Sequence, residues 1–303
     1  MKKLLLITIG ILLIESVLAF NAIQNITVII LPGIIDVFSP VQDAVYNNRM
    51  VLINLSMSAN VSYFKYADNG GSLRTLCRKC DSYSKKKPFD DGFHELTIFG
   101  IFNIGTVYNY VNFMVDSKKP RILKTNPRRG FATGFFEVEF EEENPVSLFL
   151  NYGNELRNAE LNISECEKKK TKRICNVSVE LADYDLQEIE YWFNITDIAG
   201  NSDESKNISI DVDVSAPIIS FFNYSINGEY VTFLLNITEP NFEEVDYIDW
   251  SDLNPKWKKL CSMLKNNICK TKRKFDAGLR NVTIEITDEA GNSVSENVEF
   301  VIV

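Results

Sequence analysis

Six cysteines, one histidine and a large stock of carboxylates are the residues of this 303-residue chain whose chemistry could go beyond packing. The cysteines fall into three close pairs, Cys77 with Cys80, Cys166 with Cys175 and Cys261 with Cys269. Cys77-Arg78-Lys79-Cys80 has the spacing of a redox dithiol or of half a zinc site. Zinc would need a second such pair, and the other two pairs have different spacings, so three local disulfides are expected. The single histidine, His94, stands beside Glu95 with no serine in a nucleophile-elbow setting. A Ser-His-Asp arrangement is therefore badly supplied, and His94 is expected to be exposed and idle. A pair of carboxylates can hydrolyse glycosides, yet Asp and Glu are abundant here without marking a place, and the chain is expected not to be an enzyme. Asp197, Asp203, Asp211 and Asp213 crowd one stretch and raise the question of calcium, which takes about six to eight oxygens. No EF-hand or Asp-x-Asp-x-Asp loop accompanies them, so a solvated turn is expected there, with no metal and no cofactor.

The elements that must position these residues announce themselves through a phrase written twice, ITDIAGNS at 195–202 and ITDEAGNS at 286–293, with a worn form, IFNIGTV, at 101–107. In the two clear copies an alternating strand runs into Asp, then Ala-Gly-Asn, then a second strand, the pattern of an antiparallel hairpin. Gly200 and Gly291 are expected at positive φ, and Asp197 and Asp288 are expected to accept from the amides of their own turns. Alternation recurs in each third of the chain, in Val51, Ile53 and Leu55, in Phe136, Val138 and Phe140, and in Val231, Phe233 and Leu235. The joins VDSKKPRI at 115–122 and VDVSAPII at 212–219 place a proline where one strand ladder ends and the next begins. Three cores are expected, with Ile53, Val138, Phe193, Phe233 and Ile284 among the buried residues, and each repeat holds about seven short strands.

These joins, the Glu-Pro-Asn bend at Glu239 and the two hairpins resemble the tandem immunoglobulin-like repeats of bacterial and archaeal exported surface proteins. The resemblance covers essentially everything after Ala19 and implies an all-β chain of three tandem Ig-like β-sandwich domains, at 20–117, 118–214 and 215–303, behind a signal peptide at 1–19. One departure stands out: antibody-type domains bridge distant strands across a central Trp, whereas these cysteines lie close together in mid-repeat. Nothing about antigen recognition carries over.

The first residues support export on their own: Lys2 and Lys3, an apolar run from Leu4 to Ile14, then Val17-Leu18-Ala19. Glu15 cuts the run short of a bilayer span, and no transmembrane segment is expected in the mature chain. The formal charge of −9 becomes −10 once two Lys and one Glu leave with residues 1–19, a balance that disfavours nucleic acid. Ten Asn-x-Ser/Thr sequons, at Asn25, Asn54, Asn60, Asn162, Asn176, Asn194, Asn207, Asn223, Asn236 and Asn281, are glycosylation candidates of a secreted or cell-surface protein. Two features are candidates for binding. Parity points Trp192 outward between Tyr191 and Phe193, as sheet cover or as a sugar-stacking platform. Basic runs flank the cysteine pairs: Lys85, Lys86 and Lys87, then Lys168, Lys169, Lys170, Lys172 and Arg173, then Lys270, Lys272, Arg273 and Lys274. The leading expectation is an exported structural or adhesive protein; a module that binds an anionic glycan or cell-wall polymer is the alternative, and accessory domains of an extracellular hydrolase system the second.

Overall fold

The structure is a computed structural model that describes residues 33–303, so the signal segment and Asn25 lie outside the described residues. It divides into two compact units, one ending at Val115 and one spanning Asp116–Val303.

In the first unit, β1 (Ile35–Ser39), β2 (Ala44–Tyr46), β3 (Met50–Asp68), β4 (Arg74–Pro88), β5 (Gly92–Phe102) and β6 (Gly105–Val115) form one sheet in the order β1-β3-β5-β6-β2, with β4 on β3. Instead of the expected short strands, β3 runs for 19 residues and β4 for 15. The first half of β3 pairs with β1 and with Tyr83–Pro88 of β4, while its second half pairs with β5 and with Arg74–Cys80 of β4. A register shift between Ser56 and Val61 lets the long strand turn the corner from one layer to the other. The single sheet therefore folds over its own core, where Ile53 and Leu55 cluster with Leu96, Ile98 and Phe113.

The second unit holds two sandwiches. The first comprises β7 (Arg121–Asn126), β8 (Phe131–Ala132), β9 (Phe135–Glu141), β10 (Pro145–Tyr152), β11 (Arg157–Glu160), β12 (Glu167–Lys169), β13 (Lys172–Ser178), β14 (Glu188–Asp197), β15 (Ser202–Glu204) and β16 (Ile208–Val212). One sheet runs β12-β13-β9-β7; the other runs β11-β10-β14-β16-β8, with β15 on β14. The short β8 pairs in parallel with β16 while every other pairing is antiparallel. Phe136, Val138 and Phe140 from one sheet close on Leu148, Leu150, Tyr191 and Phe193 from the other.

The second sandwich of this unit comprises β17 (Ile218–Asn227), β18 (Tyr230–Thr238), β19 (Phe242–Asp249), β20 (Lys258–Cys261), β21 (Ile268–Lys274), β22 (Gly278–Asp288) and β23 (Ser293–Ile302). Its sheets run β17-β18-β21 and β20-β19-β22-β23, and Val231, Phe233 and Leu235 pack with Val282, Ile284 and Ile286. Two facing sheets whose first, second and fifth-type strands pair on one side, with the hairpin strands on the other, make the immunoglobulin-like arrangement. The chain is all-β and Ig-like on its own strand order. Among the described residues no helix is long and apolar enough to cross a membrane.

Candidate functional site

The repeated turn does more than reverse the chain. Gly200 and Gly291 take φ of 79° and 88°, as the turn demands, whereas Gly105 of the worn copy is not in the left-handed region. Asp197 Oδ1 accepts from the amides of Ala199 and Asn201, both at 2.8 Å. Asp288 Oδ1 repeats this with Ala290 at 2.9 Å and Asn292 at 2.8 Å. The other oxygen of each carboxylate takes the side-chain amide of Asn201 or Asn292.

Those same asparagines reach back to the joins. Asn201 Nδ2 donates to the Asp116 carbonyl at 3.0 Å, and Asn292 Nδ2 donates to the Asp213 carbonyl at 3.2 Å. The bend between the second and third main strands of each sandwich completes the set. Asn144 donates its amide to Glu142 Oε1 and its side chain to Asp116 Oδ2, and Asn241 does the same to Glu239 Oε1 and Asp213 Oδ2. Backbone bonds from Ile198 to Asn144 and from Glu289 to Asn241 tie bend to hairpin.

Three carboxylates thus converge twice, Asp116 with Glu142 and Asp197, and Asp213 with Glu239 and Asp288. In each group one oxygen from every member lies within 4.8 Å of the others. Asp197, Asp213 and Asp288 are only 2%, 1% and 0% exposed. Burial pushes the Glu142 carboxyl above its ordinary range, with Asp116 and Asp197 adding to the shift. Burial likewise raises Asp213 and Glu239, and the charges that add to both include Asp288 and Asp185. Buried like charges repel in a poorly solvated site, so the arrangement favours a proton or a cation among the oxygens. A hard divalent ion suits it, since the donors are carboxylate and carbonyl oxygen without sulfur or imidazole.

Of the four aspartates crowded in sequence, Asp197 and Asp213 enter different pockets, and neither Asp203 nor Asp211 enters one. Asp203 instead accepts the Ile122 amide at 2.7 Å. The pocket members outside that cluster, Asp116, Glu142, Glu239 and Asp288, all lie in the joins, bends and turns that mark the repeats. That coincidence was the available signal.

His94 corrects its expectation. It is 5% exposed, with Nδ1 at 2.9 Å from the Asp68 carboxylate and Nε2 at 2.8 Å from the Asp90 carbonyl. Its ring stacks on Phe113 inside the first core, so it is a structural core residue.

The cysteines close as Cys77–Cys80, Cys166–Cys175 and Cys261–Cys269, and no free cysteine remains. The first bridge sits within β4, an edge of the sheet, and not in a loop. Many of the basic residues are already matched: Lys169 pairs with Glu167, Lys172 with Glu139 and Lys274 with Glu229, while Arg173 donates to the Glu143 carbonyl. Lys272 lies over the Tyr230 ring. Lys168 and Lys170 are exposed at the β12–β13 turn, as are Lys85 and Lys86 on β4. Trp192 is half-buried on β14, opposite Asn151. Asn54 and Asn194 are half-buried, and Asn60, Asn162, Asn176, Asn207, Asn223, Asn236 and Asn281 are exposed.

No family model matches the chain, and no curated protein matches it. Among solved structures, a three-domain I-band fragment of titin is 15% identical, covering 91% of this chain and 99% of that one at a TM-score of 0.41. The FN1-FN3 domains of chicken CNTN1 are 9% identical, with coverage of 89% and 98% and a TM-score of 0.39. SGBP-B of the Bacteroides ovatus mixed-linkage glucan utilization locus, solved in complex with a mixed-linkage heptasaccharide, is 11% identical, covering 90% of this chain and 71% of that one at a TM-score of 0.25.

Proposed function

We propose that the chain is an exported structural element of a cell surface, three Ig-like sandwiches at 20–117, 118–214 and 215–303, with a divalent cation in each carboxylate pocket. The observation that carries this reading is the twice-built pocket, in which join, bend and hairpin of one sandwich meet around buried carboxylates. At the second pocket the join is held from both sides. Asp213 accepts from Asn241 and Asn292 of the sandwich that follows, and its amide donates to Ala132 of the one before at 3.3 Å. The next residues, Val214 and Ser215, donate to Asp185 of the preceding sandwich, which holds the Asp185 carboxyl below its ordinary range. A cation here stabilises the junction between domains, the part of a tandem protein under strain when its ends are held apart. Cation binding at a hundredfold excess over Kd adds about 2.7 kcal/mol per site.

Anionic-polymer binding by the basic runs is the weaker reading, because Lys169, Lys172, Arg173 and Lys274 already have partners. Thermal unfolding of the full chain with calcium and with a chelator, alongside fractionation of the source cells, tests the proposal. A calcium-dependent rise in Tm and recovery at the cell surface support it. An unchanged Tm removes the cation, and recovery only from the cell interior removes the surface role.

A further inference from the structure

Trp250 is an exposed indole, 54% accessible, yet it is held in one place. It follows β19 directly, and its backbone amide donates to the Asn281 carbonyl at 2.8 Å. Its indole Nε1 donates to Thr283 Oγ1 at 2.9 Å, and that hydroxyl donates to Asn297 Oδ1 on β23 at 2.6 Å. The turn beneath is fixed as well: Asp249 Oδ1 accepts the Ser251 amide at 2.9 Å, and Asp249 forms a buried ion pair with Arg280 at 3.3 Å. A large apolar side chain pinned this firmly and left open to water is unexpected on packing grounds, because its ordering gains little burial.

The neighbour that gives it a purpose is Asn281. Asn281-Val282-Thr283 is an acceptor sequon, and the threonine of that sequon is the one that holds the indole. Asn281 and Thr283 share a face of β22, one pleat repeat or about 7 Å apart. The backbone N–H of Asn281 also donates to Ser251 Oγ at 3.0 Å, which aligns the two segments. Other sequons are differently placed. Asn162 caps a short 3-10 turn, Asn194 donates to Glu204, Asn207 donates to Glu190, and Asn223 accepts the Tyr224 amide. Trp192 and Asn194 also share a strand face, but there the asparagine side chain is taken by Glu204.

We infer that Asn281 carries an N-linked glycan whose first sugar rests its C–H face on Trp250; this rests on the reading of the chain as exported. The donor is a lipid-linked sugar phosphate. The Asn281 side-chain nitrogen forms a bond to the anomeric carbon, the bond from that carbon to the phosphate oxygen breaks, and the phosphate leaves with the electron pair as the amide loses one proton. The sugar ring covers the open indole and gives the fixed Trp–Thr–Asn arrangement an apolar contact of the size of an aromatic pair.

Glycopeptide mass spectrometry on the full chain purified from its own cells, with tryptophan quenching by acrylamide before and after glycan removal, tests this. The inference expects Asn281 occupied, quenching that rises when the glycan is removed, and a Tm loss of about 4 °C on removal. Trp250→Phe, which keeps a smaller ring but loses the bond to Thr283 in either background, is expected to lower Tm more in the glycosylated chain than in the Asn281→Gln background. Occupancy at other sequons with Asn281 bare overturns the inference alone. No occupancy at any sequon overturns it together with glycosylation in an exported chain. Quenching unchanged by removal, or additive effects of Trp250→Phe and Asn281→Gln, overturns the stacking while leaving export intact.

Discussion

The hairpin of the first unit and the hairpins of the second close the same part of the same fold by different means. Between β5 and β6 the chain turns through Asn103 and Ile104, with Phe102 already paired to Gly105 and no carboxylate in the turn. Between β14 and β15, and between β22 and β23, an aspartate folds the turn around its own oxygens and faces two further acids. The first unit therefore closes its hairpin without an acid in the turn. The acids of the second unit serve something other than closure, and their repeated link to the join says where.

The largest way to break this comparison is to remove the organising carboxylate. Asp288→Ala leaves the amides of Ala290 and Asn292 without their acceptor, an expected loss of about 2–4 kcal/mol read by hydrogen exchange across 278–302. The parallel change in the first unit, Asn103→Ala, is expected within about 0.5 kcal/mol of the unaltered chain. Equal losses at both turns would mean that the acids are turn scaffolding and nothing more.

The first unit has its own buried polar device, and it sharpens the contrast. His94→Gln is expected to cost about 1–3 kcal/mol, because it removes the ring that contacts both the Asp68 carboxylate and the Asp90 carbonyl in a core lined by Phe89 and Phe113. The loss should be confined to exchange within 33–115. A loss spread equally into the second unit would contradict the division into two compact units.

A smaller effect distinguishes the pockets by pH. Glu142, Asp213 and Glu239 hold their protons to higher pH when folded than the ordinary 4.5 or 3.8 of an unfolded chain. The folded state then binds more protons than the unfolded one in the window above those values, so stability falls as pH rises through it. Chelated protein is expected to lose Tm as the pH rises above the ordinary carboxylate values, and calcium is expected to remove or reverse that slope. Glu239→Gln should flatten the part of the slope that comes from the second pocket. A slope unchanged by that substitution would assign it elsewhere.

Much of the fold was legible because period-two alternation survives translation into sheets: Val138, Phe193, Phe233 and Ile284 are buried where parity places them. The long β3 was not, since Ser58-Ala59-Asn60 offers no large apolar residue to carry the alternation from Met57 to Val61, and the corner it makes depends on which partner each half finds. His94 was misjudged against its own parity, because it shares a face with Leu96 and Ile98, both buried, and the adjacent Glu95 drew the reading outward. The pockets escaped for a different reason. Asp213, Glu239 and Asp288 lie far apart in sequence and each satisfies a local rule, for a join, a bend and a turn, so nothing local announces that their oxygens meet.

Calorimetric titration of calcium into chelator-treated full chain tests the central claim most directly. Two ions per chain are expected, with one remaining after Glu239→Gln combined with Asp213→Asn, and with the Tm gain falling in step. Absence of calcium heat in the unaltered chain, or a stoichiometry that the double substitution leaves at two, would contradict the assignment of a cation to each pocket.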